Sequence, residues 1–369
     1  MKDLLSWFTL KHTPGVGNYN FKRLVDRFGS PEKIFTASSA ELTKIEGISG
    51  RIAAAVRARK LPAFVKKDLD IAAEKNIKIV TMTDNNYPSL LLQLPDPPPV
   101  IYVYGFLDNN MNSIAVVGSR SATDYGISTA MQLSKELASR QLWVVSGMAK
   151  GIDTAAHKGA LAAGGKTIAV LGSGLARIYP AENEKLFHEI SENGAVISEF
   201  PMMMRPDARN FPLRNRIICG MSLGTVVVEA AKRSGALITA RLAAEQGKEV
   251  FAVPGSIKSA KSVGTHSLLK QGAKLVENVD DVIEELPHFL IENESRKNVG
   301  NNGVKSFKCA LEPDEEIVFT ALESYPMHID SLVRKIGLEA GKLSGLLLQL
   351  ELKGIVDQSP GKFFSVRGE

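Results

Sequence analysis

Ser146-Gly147-Met148-Ala149-Lys150-Gly151 sets one lysine among small residues, directly after the apolar pair Val144-Val145. This pattern reads as a buried strand running into an open turn. Small side chains let a ligand approach the backbone, free N–H groups donate hydrogen bonds, and the cation suits an anion such as phosphate. Gly118-Ser119-Arg120, Gly172-Ser173-Gly174, Ser198-Glu199 and Ser234-Gly235-Ala236 are built alike. Each alone also fits a plain strand-to-helix turn. Several at one edge, two of them carrying Arg120 and Lys150, read as a phosphate-binding rim.

A second cluster is Asn210-Phe211-Pro212-Leu213-Arg214-Asn215-Arg216-Ile217-Ile218. Arginine forks match phosphate oxygens, asparagine pairs with a base edge, and an aromatic ring stacks on a base, so these are parts of a single-strand nucleic-acid site. The alternative is structural, with Phe211 in the core and Arg214 and Arg216 bonded to neighbouring carbonyls.

Other chemistries find little footing. Gly118-Ser119-Arg120-Ser121-Ala122-Thr123 is not G-x-G-x-x-G, and an arginine stands where a pyrophosphate needs close backbone contact, which argues against a dinucleotide. Gly147-Met148-Ala149-Lys150-Gly151 lacks the full phosphate loop and its Mg²⁺-binding hydroxyl. Gly172-Ser173-Gly174 is not a nucleophile elbow. Two cysteines, Cys219 and Cys309, and six scattered histidines suggest neither a disulfide framework nor a metal site. The expectation is no catalytic residue, no metal and no cofactor.

The elements that must position these residues alternate between strand and helix from Ser113 to about Leu286. Apolar strands at 114–117, 142–145, 167–171, 195–198, 225–228, 250–253 and 274–276 are separated by helical stretches. This predicts an α/β fold, a Rossmann-like parallel sheet flanked by helices. In such a sheet ligands collect beyond the carboxyl ends of the strands, where the rim residues fall.

Two flanking parts complete the chain. Before residue 80, Pro14-Gly15-Val16-Gly17 and Glu46-Gly47-Ile48-Ser49-Gly50 each precede helical periodicity, as in paired helix-hairpin-helix or SAM-like units. Such turns either hold phosphates on helix N-termini or simply pack a small bundle. Residues 81–110, with Pro95-Asp96-Pro97-Pro98-Pro99, read as a stiff connector whose 101–104 segment forms a short strand against the next domain. The expected domains are 1–80 helical, 111–288 Rossmann-like, a linker at 289–313, and a winged helix at 314–369. The last has helices near 317–322, 332–336 and 343–352 and a hairpin around Ser359-Pro360-Gly361. Its third helix offers only Lys342, Gln349, Glu351 and Lys353 among leucines, leaving groove entry and protein contact both open.

With 44% hydrophobic and 23% charged residues, the chain has enough apolar material for a sizeable core. Its longest apolar runs fall far short of the ~20 residues that cross a bilayer, and no cleavage site follows the first apolar stretch, so a cytoplasmic protein with no membrane partner is expected. The formal charge of +5 is uneven: residues 1–75 hold 14 Lys+Arg and 8 Asp+Glu, so the surplus is N-terminal. That bias fits either a polyanionic partner or a solvated helix surface.

VVGSR at 116–120, SGMAKGID at 146–153, LGSGL at 171–175, YPAEN at 179–183, ISEF at 197–200, NFPLRNRII at 210–218, VVVEAAKRSGALITA at 226–240 and VPGS at 253–256 together resemble the DNA-processing protein A (DprA/Smf) family. The resemblance implies a cytoplasmic single-stranded DNA-binding protein that does not cut DNA, protects incoming strands in natural transformation, and loads RecA, often as a homodimer. By motif, Arg120 and Lys150 become phosphate contacts. Gly118, Ser119, Ser146, Gly147, Gly151, Gly172, Ser173, Ser234 and Gly235 become close-approach or donor positions. Phe211, Arg214, Asn215 and Arg216 become contacts near a phosphate or base. The competing class is a Rossmann-like nucleotide phosphoribohydrolase, suggested by Gly224-Thr225 followed by Glu229. That signature needs a Pro-Gly start, which is missing, and one residue fewer before the glutamate. Glu229 is expected to anchor a loop instead.

Overall fold

The computed structural model describes residues 4–286, 313–322, 327–353, 356–359 and 362–366. They fall into two units, 1–298 and 299–369. The expected linker at 289–313 lies almost wholly outside the described residues, as do Gly354-Ile355 and the Pro360-Gly361 turn.

The first unit begins with helices α1 (Leu4–Lys11), α2 (Asn18–Phe28), α3 (Pro31–Thr36), α4 (Ser39–Leu42), α5 (Gly50–Arg57) and α6 (Phe64–Glu74). Strand β1 (Lys78–Thr81), α7 (Ser89–Leu92) and β2 (Val100–Gly105) follow. The alternating part runs β3 (Ser113–Val117), α8 (Asp124–Ser139), β4 (Trp143–Ser146), α9 (Ile152–Ala162), β5 (Thr167–Val170), α10 (Glu184–Glu192), β6 (Gly194–Ser198), α11 (Asn210–Gly220) and β7 (Gly224–Val227). It ends with α12 (Gly235–Glu245), β8 (Glu249–Ala252), α13 (Val263–Lys270), β9 (Lys274–Leu275) and α14 (Asp280–Ile283).

All nine strands form one sheet, in the order β1-β2-β6-β5-β4-β3-β7-β8-β9. From β6 to β9 every pairing is parallel, and the central strands are buried along their whole length, as their unbroken apolar sequences require. Helices α8 and α9 press together closely: a Cβ on Gly159 would lie 2.2 Å from the Met131 carbonyl oxygen. Only glycine fits that approach.

The sheet is larger and less uniform than an all-parallel reading predicts. Strand β2 pairs antiparallel with β6, and β1 antiparallel with β2, so residues 78–105 extend the sheet. The reason is that Val100-Ile101-Tyr102-Val103 is buried and apolar throughout, and the free edge of β6 supplies the partner it needs. The proline run is equally committed. Pro97, Pro98 and Pro99 are buried, the Tyr87 hydroxyl donates to Pro98 O at 2.9 Å, and Met82 N donates to Pro99 O at 3.1 Å.

One hydrophobic core links the helical N-terminus to a face of this sheet, joining Trp7, Phe8, Phe21 and Leu24 to Tyr102, Ile197, Met202 and Ile217. Polar contacts reinforce it. Buried Asp68 accepts from the Tyr102 hydroxyl and from Met202 N, each at 3.0 Å. Lys11 Nζ donates to Glu199 O at 2.8 Å.

The second unit contains α15 (Pro313–Ala321), β10 (Met327–His328), α16 (Ile329–Ile336), α17 (Ala340–Leu352), β11 (Val356–Ser359) and β12 (Phe363–Val366). β12 pairs antiparallel with both β11 and β10 over a core of Val318, Leu332, Leu343, Leu347 and Leu350, the arrangement of a winged helix. Two of the cations near its third helix are paired: Lys342 with Asp314 at 2.6 Å and Lys353 with Glu315 at 2.5 Å. Both acids sit on α15, so these lysines pack helices together.

Candidate nucleic-acid interface

At the carboxyl ends of β3, β4 and β5 the chain forms a pocket lined by Arg120, Gly147, Ala149, Lys150, Leu171, Gly172, Ser173, Tyr179, Pro180 and Phe211. Six of these are predicted rim or cluster residues, brought together from three strand ends and from α11. Tyr179 and Pro180 complete the wall. Their usable signal in the sequence is an aromatic immediately before proline in a turn.

The Lys150 loop is shaped by its own residues. Met148 and Gly151 occupy positive φ, at 55° and 76°. A side chain on Gly151 would strike the Ser119 carbonyl at 2.3 Å, so the turn lies tight against the β3 loop. Asp153 at the start of α9 accepts from Ala149 N at 3.3 Å, Thr154 Oγ1 donates to Ala149 O at 2.7 Å, and Asn183 Nδ2 donates to Met148 O at 2.9 Å. Thus held, the loop presents Lys150 to solvent, where Nζ meets Glu182 at 2.6 Å. That pair is more than half exposed on both sides, so it contributes little and exchanges readily for a phosphate.

Phe211 lies half-buried on Gly172, where a Cβ would come within 2.7 Å of its ring. The Arg120 guanidinium stands 4.8 Å from the Phe211 centroid, and the Tyr179 ring lies 6.0 Å away. Exposed cations therefore flank two aromatic rings. Such a set grips a phosphate and stacks a base without reading its identity.

Arg214 has a different place. It is 4% exposed, and its guanidinium donates to Gly147 O at 2.8 Å, to Val170 O, and to Asn215 Oδ1 at 3.1 Å. Burial lowers its pKa to about 10, while Asp153 opposes that shift; burial likewise pushes the Asp153 carboxyl up, against the pull of Arg214. Arg214 thus lies beneath the pocket and braces the β4 and β5 ends. Asn215 is buried beside it. Arg216 points elsewhere: its side chain, 12% exposed, pairs with Glu199 at 2.5 Å and donates to Asp96 O at 2.6 Å. The structural alternative fits Arg214 and Arg216, which bond neighbouring carbonyls, and does not fit Phe211, which is only half-buried and alone of the cluster lines the pocket.

The remaining rim residues divide. Ser146 is fully buried and donates to Val116 O at 2.6 Å, tying β4 to β3. Gly118 makes room for Ile152, whose Cγ1 would be 2.6 Å from an added Cβ. Ser119 is buried near Lys261 Nζ, at 3.5 Å. Ser234 and Gly235 line a separate depression with Lys232, Arg233 and Arg241. Three cations meet there, and the signal for two of them is the Lys232-Arg233 pair directly before Ser234-Gly235.

Glu229 is 4% exposed and accepts from Thr123 N at 3.0 Å and from Thr123 Oγ1, fixing the start of α8. In the helical module, Gly15 and Gly47 share φ of 87°, and Asn20 Nδ2 donates to both of their carbonyls, at 3.2 and 3.4 Å. The two hairpin turns therefore pack on one another. Among the described residues there is no metal-like cluster of His, Cys, Asp or Glu, and no helix long and apolar enough to cross a membrane.

Under the sheet, His157 Nδ1 donates to Thr167 Oγ1 at 2.7 Å, since that hydroxyl spends its own proton on Val144 O. Nε2 is left buried without a hydrogen-bond partner, and burial lowers the pKa to about 3 from 6.5. The unfolded chain therefore binds an extra proton below pH 6.5 that the fold refuses. Stability from this residue is complete above pH 6.5 and falls toward pH 3, by about 1.4 kcal/mol per unit. Thermal melts between pH 7 and 4.5 should show His157→Asn, which keeps a donor for Thr167, declining less steeply than the parent. Equal slopes would contradict this.

Comparison with known proteins identifies the family. Residues 78–287 match the family model described as DNA recombination-mediator protein A, and residues 308–362 match the DprA winged helix domain. The chain is 32% identical to Protein Smf of Synechocystis over 390 aligned residues, covering 98% of each. Among solved structures it resembles DNA processing protein A from Streptococcus pneumoniae, with a TM-score of 0.67 and 34% identity over 76% of this chain and 98% of that one. It also resembles the Helicobacter pylori protein, described for its single-stranded DNA binding mode, with a TM-score of 0.51 and 30% identity over 59% of this chain and 96% of that one. Over a Rossmann-like sheet followed by a winged helix, these matches show that the chain is a member of the DNA recombination-mediator protein A (DprA) family.

Proposed function

We propose that the protein binds single-stranded DNA in the carboxyl-edge pocket, shields it, and passes it to the RecA recombinase during the recombination of incoming DNA in natural transformation, acting as a homodimer in the cytoplasm. The observation that carries this reading is the pairing of exposed Arg120 and Lys150 with the Phe211 and Tyr179 rings on a rigid glycine-lined floor. Gly147, Gly172 and Ser173 line that floor, and Gly118, Ser119, Ser146 and Gly151 hold the loops that carry it. Arg214 and Asn215 support it from below. Ser234 and Gly235 belong to a neighbouring cationic depression that a longer strand reaches.

The proposed role is binding without cleavage. A phosphoribohydrolase would need Glu229 free to act on a sugar, yet Thr123 occupies both of its oxygens. In a RecA assay on single-stranded DNA pre-coated with single-strand binding protein, adding this protein should shorten the lag before RecA ATP hydrolysis. No acceleration at saturating protein would remove the hand-over step. Release of free base from a nucleoside monophosphate, abolished by Glu229→Gln, would restore the enzymatic alternative.

A further inference from the structure

A second pocket opens on the same sheet edge, at the ends of β7 and β8. Its walls are Tyr125 and the serines Ser256, Ser259 and Ser262, with Thr123 and Glu229 at its floor. Tyr125 is 52% exposed, and its hydroxyl donates to Pro254 O at 2.9 Å, so the ring is held with a face toward solvent. Ser256 and Ser259 accept from Lys258 N and Lys261 N within their own turns, at 3.3 and 3.2 Å, which leaves each hydroxyl proton available to donate. Ile257, at the tip of this loop, is 88% exposed.

Between the two pockets stands Lys261. Its Nζ reaches across to the β3 loop, 2.5 Å from Ser121 Oγ and 3.5 Å from Ser119 Oγ, one residue either side of Arg120. Both partners are neutral, so the ammonium charge on the ridge is not cancelled. The second pocket thus repeats the parts of the first: a fixed aromatic face, hydroxyl donors and a cation at the lip.

We infer that this pocket is a second base-stacking subsite for the same single strand, with Lys261 holding the phosphate between the two and Tyr125 carrying the base. This rests on the reading of the first pocket as a single-strand site. β4, β3, β7 and β8 are consecutive in the sheet. Three strand spacings of about 4.8 Å separate the ends of β4 and β8 by about 14 Å. That span matches about four stacked nucleotides at ~3.4 Å each, one more than a stacked trinucleotide supplies. The buried Glu229 carboxylate keeps phosphates off the pocket floor and toward Lys258 and Lys261. A base stacks on the exposed face of Tyr125.

The test is fluorescence titration of the full chain with a thymidine trinucleotide and a thymidine dodecanucleotide. Lys261→Met and Tyr125→Leu should each weaken the dodecamer about fivefold or more while leaving the trinucleotide unchanged. Lys261→Met should also lower the dodecamer's salt slope by about 0.7. Ser256→Trp, which fills the pocket from an exposed position, should reproduce the length-selective loss, and thermal melts establish that each variant folds. If Arg120→Ala weakens both oligonucleotides and the three pocket variants change neither, the second subsite is wrong while the first stands. If Arg120→Ala changes neither, both readings fall. Equal weakening of the two lengths by Lys261→Met would mean that it acts through the Arg120 loop, and would overturn the subsite.

Discussion

Arg214→Ala should destabilise the protein by about 3–5 kcal/mol, because it leaves several buried acceptors without their donor, at about 1–3 kcal/mol each. The change strips Gly147 O, Val170 O and Asn215 Oδ1 of their donor and removes the largest of the nearby positive charges that favour the ionised Asp153 carboxyl. A melting temperature lower by on the order of 10 °C follows for a unit of this size. Arg214→Lys keeps the charge but not the fork, so it should recover only part of the loss. Asp153→Asn should be costly alone and much less so when combined with loss of Arg214, because the two groups answer each other. An Arg214→Ala protein that melts with the parent would show that the guanidinium does not brace the β4 and β5 ends.

The second large effect concerns binding. Alanine at both Arg120 and Lys150 removes the exposed cations of the first pocket. The slope of log affinity against log salt should fall by about 1.4, at ~0.7 per lost phosphate contact on a single strand. The affinity itself should drop by about 1.5–3 kcal/mol per charge-assisted contact, with the melting temperature nearly unchanged because both side chains are exposed. Glu182→Gln should act in the opposite direction, since it frees Lys150 from its 2.6 Å partner. Phe211→Ala separates stacking from charge: it should cost about 1–3 kcal/mol of binding. Part of that arises from Arg120, which loses the ring beneath it. An unchanged salt slope in the double alanine variant would place the phosphates elsewhere.

The strands of the parallel core were legible because full burial demands unbroken apolar runs, and the rim was legible because glycine, serine and cations recur where those runs stop. Burial of charge was harder to see. Arg214 looks like a phosphate ligand by type, yet it is buried on α11 with Ile217 and Ile218. The second half of α11 is buried almost continuously, from Arg214 through Gly220, so no polar stripe marks the arginine and residue chemistry pointed away from its place. Strand β2 was recognised, but its direction and its place beside β6 depend on a pairing between segments nearly a hundred residues apart, which no local pattern encodes. Asp153 illustrates a third limit. Its carboxyl feels the Arg214 charge and accepts from the Lys150 loop, an encounter of α9 and α11 that only the folded sheet brings about.

The central claim, that the carboxyl edge of this sheet holds an unpaired DNA strand, is tested most directly by one titration. The purified full-length protein is mixed with a labelled single-stranded oligonucleotide, and with its duplex, across a series of salt concentrations. The account predicts tighter binding to the single strand, little dependence on its sequence, and a linear fall of log affinity with log salt that is shallower when Arg120 and Lys150 are both alanine. Equal affinity for single strand and duplex, with a salt dependence untouched by that double replacement, would contradict it.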